Sequence, residues 1–370
     1  MASITSLPLH LVADILRLLD NIQLLPPIIL SHRIFYSALL DTPSLPLDIL
    51  RSQIPENLLP LAIAAYTSQK SVRDLHGLDA ESFLTNCYDS PLGGLLHLSL
   101  GQAIQVGRID DALSELRDEF TLCSLRRLYG VNSDGPISDD QGLSAGEEYR
   151  ISRALYRFQI YRNLFLDKEV LDKEQDLFPS GYGDDDYYDD EEEDTKPEKK
   201  QKKLFFDRHS PWVNEQLACV YDYLETRLTG GASLEHFLML TILSATPAYR
   251  QVVVNGFQWG ENLTEWLTEK TQLFEEQRCL SLGLPRLSQL LKASTYEEWQ
   301  CSLGEASNLC QSCLEEDLEE FNRGKKPIDE DDDHPRQMWT KVYYDRVHER
   351  FRLGDHAFAP MRFVYGLRGV

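Results

Sequence analysis

The sequence lacks the features of secreted, membrane-spanning and nucleic-acid-binding proteins. Even its apolar stretch from Ile22 to Leu30 is interrupted by Pro26-Pro27, well short of the roughly 20 residues that span a bilayer. The amino terminus, Met1 to Ser6, has no basic residue ahead of the first helical pattern, so no secretory signal is expected. Basic residues number 37 against 60 acidic ones, a formal net charge of −23. Such a field repels nucleic-acid phosphates and anionic lipid headgroups, so neither nucleic acid nor membrane is an expected partner. The seven cysteines are an odd, scattered set, which in a reducing compartment predicts thiols and no disulfides. These absences place the protein inside the cell, in the cytoplasm, the nucleus or both.

Signatures of catalysis are also scarce. There is no P-loop or dinucleotide fingerprint, and His348-Glu349 lacks the second histidine of a metalloprotease helix. Gly142-Leu143-Ser144-Ala145-Gly146 has the G-x-S-x-G spacing of a nucleophile elbow, but a polar loop, Asn132 to Gln141, stands where a strand would have to precede it. Ser144 with Glu147 three residues later reads instead as a capping box opening a helix. Cys310-Gln311-Ser312-Cys313, with Cys301 and His334, offers four zinc-type ligands. No second C-x-x-C pair accompanies it, and Cys313 shares a helical register with Leu309, Leu314 and Leu318, so buried thiols are the preferred reading. The acidic runs lack the glycine and ligand alternation of a calcium loop. No catalytic residue, cofactor or metal is therefore assigned, and the chain is not read as an enzyme.

Strand patterns are nearly missing too, Gln251-Val252-Val253-Val254 being the best and too brief to found a sheet. What is present is helical periodicity. Ile151, Ala154, Leu155, Phe158, Tyr161, Leu164 and Phe165 recur at three- and four-residue spacing, as do Ile109, Leu113, Leu116 and Phe120, and each set predicts one buried helix face. Ser210-Pro211 predicts an N-cap with proline at the first helical position, followed by Val213, Gln216, Leu217, Val220, Tyr223 and Leu224 on one face. Leu263, Trp266 and Leu267, then Leu309, Leu314, Leu318 and Phe321, continue the pattern. The hydrophobic fraction of 42% fills more than one core, and a chain of 370 residues exceeds what one core usually supports.

Two charge-dense breaks divide the chain. Gly181 to Lys203 runs from Asp184–Asp186 and Asp189–Asp194 into Lys196, Lys199, Lys200, Lys202 and Lys203, and such a tract predicts a disordered linker. Its basic end, Lys199 to Lys203, also has the composition of a nuclear import signal. Gly324 to Pro335, with its acidic run, predicts a surface loop. The expected organisation is an amino-terminal motif over 1–50, helical regions over 51–180 and 206–323, a linker over 181–205, an acidic loop over 324–337 and a carboxy-terminal segment over 338–370. The expected fold is all-α: a three-helix motif followed by an irregular helical array interrupted by the acidic linker.

The amino terminus carries the most information. Leu11, Ile15, Leu18 and Leu19 fall on one stripe after Pro8. Leu24, Leu25, Ile28 and Ile29 follow Asn21, and Ser31 to Leu40 gives a third apolar set before Asp41-Thr42-Pro43-Ser44-Leu45-Pro46. Helices this short cannot bury their apolar faces on one another completely, so the rest of the chain or another protein must cover them. The Leu7-Pro8 opening, Ile15-Leu16 and Leu19, the Leu24-Leu25 entry, the Ser31-to-Phe35 segment and the Asp41-to-Leu45 exit together resemble the F-box. With Pro26-Pro27 where that family continues a helix, the second helix must begin late or kink. Arg153 to Phe158 and Pro211 to Ala218 are similar to the bodies of fungal F-box-like proteins.

The resemblance implies a substrate-receptor subunit of an SCF-type cullin–RING ubiquitin ligase. Its amino-terminal hook would bind the ligase linker subunit and, through it, cullin, while the helical body recruits an unknown protein. On the same ground Leu7, Pro8, Leu11, Ile15, Leu16 and Leu19 are implied adaptor contacts, with Leu24, Leu25 and Phe35 joining or supporting them. The alternative is an F-box-like scaffold or regulatory protein acting outside any ligase.

Overall fold

A computed structural model describes residues 7–86, 88, 98–129, 143–166, 197–231, 279–293 and 314–322. The described residues form helices and turns with no strand, so the all-α expectation holds. None of these helices is long and apolar enough to cross a membrane. The chain divides into two compact units, Met1–Leu164 and Phe165–Val370.

Unit 1 opens with α1 (Leu9–Leu16), a 3-10 turn (Ile22–Leu24), α2 (Leu25–Ser31), α3 (Arg33–Asp41) and α4 (Leu45–Gln53). Proline sets several of these starts. Pro26 and Pro27 occupy the first turn of α2, where an N–H would have no intrahelical partner. The second helix therefore begins late, behind the 3-10 turn. Pro46 likewise lies in the first turn of α4 and is buried. Residue 50, the expected end of the amino-terminal motif, lies inside α4, and the motif's residues belong to unit 1. His32 is extended and its Nδ1 accepts a hydrogen bond from Ile34 N at 3.2 Å, which caps α3.

The rest of unit 1 comprises α5 (Leu59–Thr67), α6 (Lys70–Leu75), α7 (Ala80–Asn86), α8 (Leu100–Tyr129) and α9 (Ala145–Tyr161), which runs into a π turn over Arg162–Leu166. Ser144 caps α9 as its spacing predicts. Its Oγ accepts from Glu147 N at 3.3 Å, and its own N donates to Glu147 Oε2 at 2.8 Å. The predicted faces of α8 and α9 are buried, with Phe120 and Phe158 fully so. Both helices pack on α5, whose Ala62, Ile63, Ala64 and Ala65 are buried on nearly every side. Small side chains let the two neighbours approach it closely. Asn163 closes this core by donating to Ala65 O at 2.8 Å and Ser68 Oγ at 2.9 Å, which satisfies a carbonyl that the end of α5 leaves without an intrahelical partner.

In unit 2, α10 (Pro197–Phe206) and α11 (Pro211–Gly231) are joined by α12 (Leu284–Lys292) and α13 (Leu314–Asn322). Here two expectations change. The basic end of the segment read as linker is helix α10: Lys199 Nζ lies 2.8 Å from Glu320, Lys202 Nζ lies 2.9 Å from Asp317, and Phe206 stacks on Phe321 at 5.6 Å. Partners distant in sequence pair two of the lysines and cover Phe206, and a charge count along the chain does not register them. Helix α11 begins at Pro211 as predicted, but the Ser210 hydroxyl makes no hydrogen bond among the described residues. The Ser210 carbonyl, accepting from Val213 N and Asn214 N, starts the helix instead. Moreover α11 is not one-sided: Asn214, Glu215 and Asp222 are buried along with the predicted face. The acidic stretch from 181 to 196, the loop over 324–337, Gln251 to Val254, the Leu263–Leu267 set, Cys301, Cys310, Cys313, His334 and His348 lie outside the described residues.

One close approach in unit 1 is directly testable. A Cβ at Gly107 of α8 would overlap Ile22 Cγ2 and sit 3.2 Å from Gln23 Nε2. Overpacking of this kind costs about 1–3 kcal/mol, against about 1 kcal/mol returned by the better helix propensity of alanine. Gly107→Ala should therefore lower the thermal midpoint, whereas Gly101→Ala, whose Cβ meets nothing within 4 Å, should leave it level or raise it. Equal midpoints for the two variants would refute the tight seat at Gly107.

Candidate docking surface

Helix α1 carries apolar residues on two opposite sides. Val12, Ala13 and Leu16 face inward and are buried. Leu11 and Ile15, one turn apart, and Leu18 in the following turn are exposed, Leu18 at 82%. Of the stripe read from spacing, Leu11, Ile15 and Leu18 thus face solvent, while Leu19 is partly covered. The inner side is supplied by a second set that the stripe did not include.

The same division runs through the next elements. Leu24 is exposed and its neighbour Leu25 fully buried, Leu30 is 84% exposed beside buried Ile29, and α3 exposes Tyr36 and Leu40, one turn apart, around buried Ala38. Among the described residues, the large apolar side chains left exposed are these seven plus Leu75 and Leu122. That concentration within thirty residues separates the region from the scattered exposed leucines any soluble surface shows.

Of the residues the F-box resemblance implies, Pro8, Leu11, Ile15 and Leu24 are exposed, while Leu7, Leu19 and Phe35 are partly covered. Leu16 and Leu25 are interior, at 2% and 0% exposure, and shape the surface only from behind. Leu18, Leu30, Tyr36 and Leu40 belong to the outward set, yet the resemblance does not include them. The available signal was the surplus itself, since segments such as Ile34 to Leu40 hold more apolar residues than one helix face can bury.

A polar junction holds these elements on the body of unit 1. Asn21, extended ahead of the 3-10 turn, accepts from Gln23 N at 2.7 Å and donates to Asp111 Oδ1 at 2.7 Å. Gln53 at the end of α4 accepts from Ile22 N at 3.0 Å and donates to Asp110 Oδ2 at 3.1 Å and Asp111 Oδ1 at 3.2 Å. From α9, Tyr156 donates to Asp110 Oδ1 at 2.6 Å, and Gln23 Nε2 donates to Ile104 O at 2.8 Å. Burial pushes the Asp110 carboxyl above its ordinary range, against the pull of the Tyr156 and Gln53 hydrogen bonds, and neighbouring Asp111 adds to the rise. Burial raises Asp111 as well. The Tyr156 hydroxyl is held well above the usual phenol range by burial first and the Asp110 charge second.

No metal-binding group of three or more His, Cys, Asp or Glu side chains comes together among the described residues. The chain matches no protein-family model, no curated protein and no solved structure.

The junction predicts a pH-dependent effect of Tyr156→Phe. Because Asp110 has a raised folded value, its contribution to stability is fully present below the ordinary carboxylate value of about 3.9 and is lost as pH rises through the folded value. Removing the Tyr156 donor weakens only the holding of the charged form, so it raises that value further. The variant should lose about 1–3 kcal/mol near neutral pH and clearly less near pH 4. Urea unfolding at both pH values reads the difference, and an equal loss at both would show that Tyr156 does not serve the Asp110 carboxylate.

Proposed function

We propose that the chain is a substrate-receptor subunit of an SCF-type cullin–RING ubiquitin ligase. In this reading the amino-terminal helices dock on the ligase linker subunit and the helical body recruits a protein for modification. The observation that carries the reading is the outward stripe of Leu11, Ile15 and Leu18, with Leu24, Leu30, Tyr36 and Leu40 also exposed on the helices that resemble an F-box. Apolar surface of this kind favours a protein partner, because fully burying one such side chain is worth about 1.5–3 kcal/mol. The net charge of −23 opposes binding to nucleic acid or anionic lipid. Residence in the cytoplasm or nucleus belongs to the same proposal. With two of its lysines paired inside helix α10, the Lys199–Lys203 run offers little support for a role in import.

One observation favours the second reading, an F-box-like scaffold or regulator outside any ligase. Leu16 and Leu25, both implied adaptor contacts, are enclosed by the chain itself.

Purified linker subunit separates the two readings. The wild-type chain should capture it, and Ile15→Asp combined with Leu18→Asp should weaken capture by about two orders of magnitude or more, since each charge would be desolvated in the complex. Leu75→Asp, a charge at an exposed leucine outside the amino-terminal helices, should leave capture and melting unchanged. Leu16→Asp should instead melt unit 1, because it buries a charge in the chain's own core. A folded wild-type chain that captures no linker subunit excludes the ligase reading.

A further inference from the structure

Helices α1, α2 and α3 pack chiefly on one another, and two small joints carry most of their contact with the rest of unit 1. One is the 3-10 turn lying on α8 and α4. The other is the side of α1 against α4, where Arg17 Nε meets Asp48 Oδ2 at 3.0 Å and Ser44 Oγ donates to the same oxygen at 3.1 Å. The Arg17 side chain is more than a third exposed, so water competes for that pair and it holds weakly. The first joint therefore dominates, and in it one apolar contact, Ile22 on Gly107, is surrounded by polar bonds.

We propose that α1 to α3 form a hinged module latched to α8 by Gln53, and that this latch holds the outward apolar stripe in one attitude to the body. Gln53 is placed for the task. It accepts from Ile22 N on the module side and donates to Asp110 and Asp111 on the α8 side, so one side chain spans the seam. Asn21 adds a second strap, from the turn to Asp111. The closed seat keeps Asp110 out of water and partly covers Asp111, and opening rehydrates both, which narrows the margin by which the closed form is favoured. A segment with few contacts to its neighbours and a polar attachment opens on its own ahead of global unfolding. The stripe rides on this module, and its proposed role as a linker-subunit contact rests on the preceding reading. The hinge itself does not.

Hydrogen exchange of the full chain, without partner, tests the latch. Amides of α1 and α3 should exchange about tenfold or more faster than those of α5 and α9, through an opening the latter do not share. Gln53→Leu should speed α1 and α3 by about a further tenfold while leaving α5 and α9 unchanged. Asn21→Ala, a milder cut that leaves Gln53 in place, should move the same amides in the same direction by less. If α5 and α9 accelerate by the same factor as α1 and α3, unit 1 opens as one piece and the hinge is wrong; unchanged α1 and α3 exchange in both variants overturns it equally. Capture of purified linker subunit by the wild-type chain is scored separately. Its absence removes the ligase reading and leaves the hinge standing, whereas uniform exchange removes the hinge and leaves the stripe.

Discussion

The placement of Ile22 against the bare backbone of Gly107 governs the amino-terminal half of this protein. Without a Cβ at 107, α8 lets the 3-10 turn approach closely enough for Asn21, Gln23 and Gln53 to reach Asp111, Ile104 O and Asp110. A side chain on α8 at that point would hold the turn away, and hydrogen bonds near 3 Å weaken steeply with such a displacement. The contact also orients the start of α2, because Leu25 is drawn inside beside Ile22 while Leu24 is left out.

The two units solve the problem of covering short helices differently. In unit 1 the seat is neutral amide to carboxylate, with Tyr156 reaching across from α9 to share Asp110. Those donors satisfy a buried carboxylate and favour its charged form, while burial pulls the other way and raises its proton affinity. In unit 2 the closing elements are oppositely charged: α10 and α13 join through Lys199 with Glu320 and Lys202 with Asp317, backed by the stacked Phe206 and Phe321. The Lys202 pair is nearly enclosed, so losing either partner would strand a charge there.

Exposed apolar surface on α1 to α3 and a polar attachment to the body belong together physically. Fastened by Asn21, Gln53 and two carboxylates, the module keeps Leu11, Ile15, Leu18 and Tyr36 outward, where a partner protein can bury them, and this is the basis for reading the region as a docking surface.

How far sequence reaches is clearest in particular residues. Helical class, the buried faces of α8 and α9 and the Ser144 capping box all follow from spacing within a turn or two, because period and capping are local physics. The amino-terminal stripe was legible as a pattern, but not which way it faces. Leu11 and Leu16 are equally apolar, and only the packing of α1 on α3 and α4 decides that Leu16 is core and Leu11 is surface. Asp110, Asp111 and Gln53 read as ordinary polar residues until residues over fifty positions apart meet. Lys199 to Lys203 reads as an unpaired charge run until α13 supplies Asp317 and Glu320. Local sequence determined where helices begin and which residue types line them, while the assignment of inside and outside, and the partners that tolerate buried charge, waited on contacts between distant segments that no short window contains.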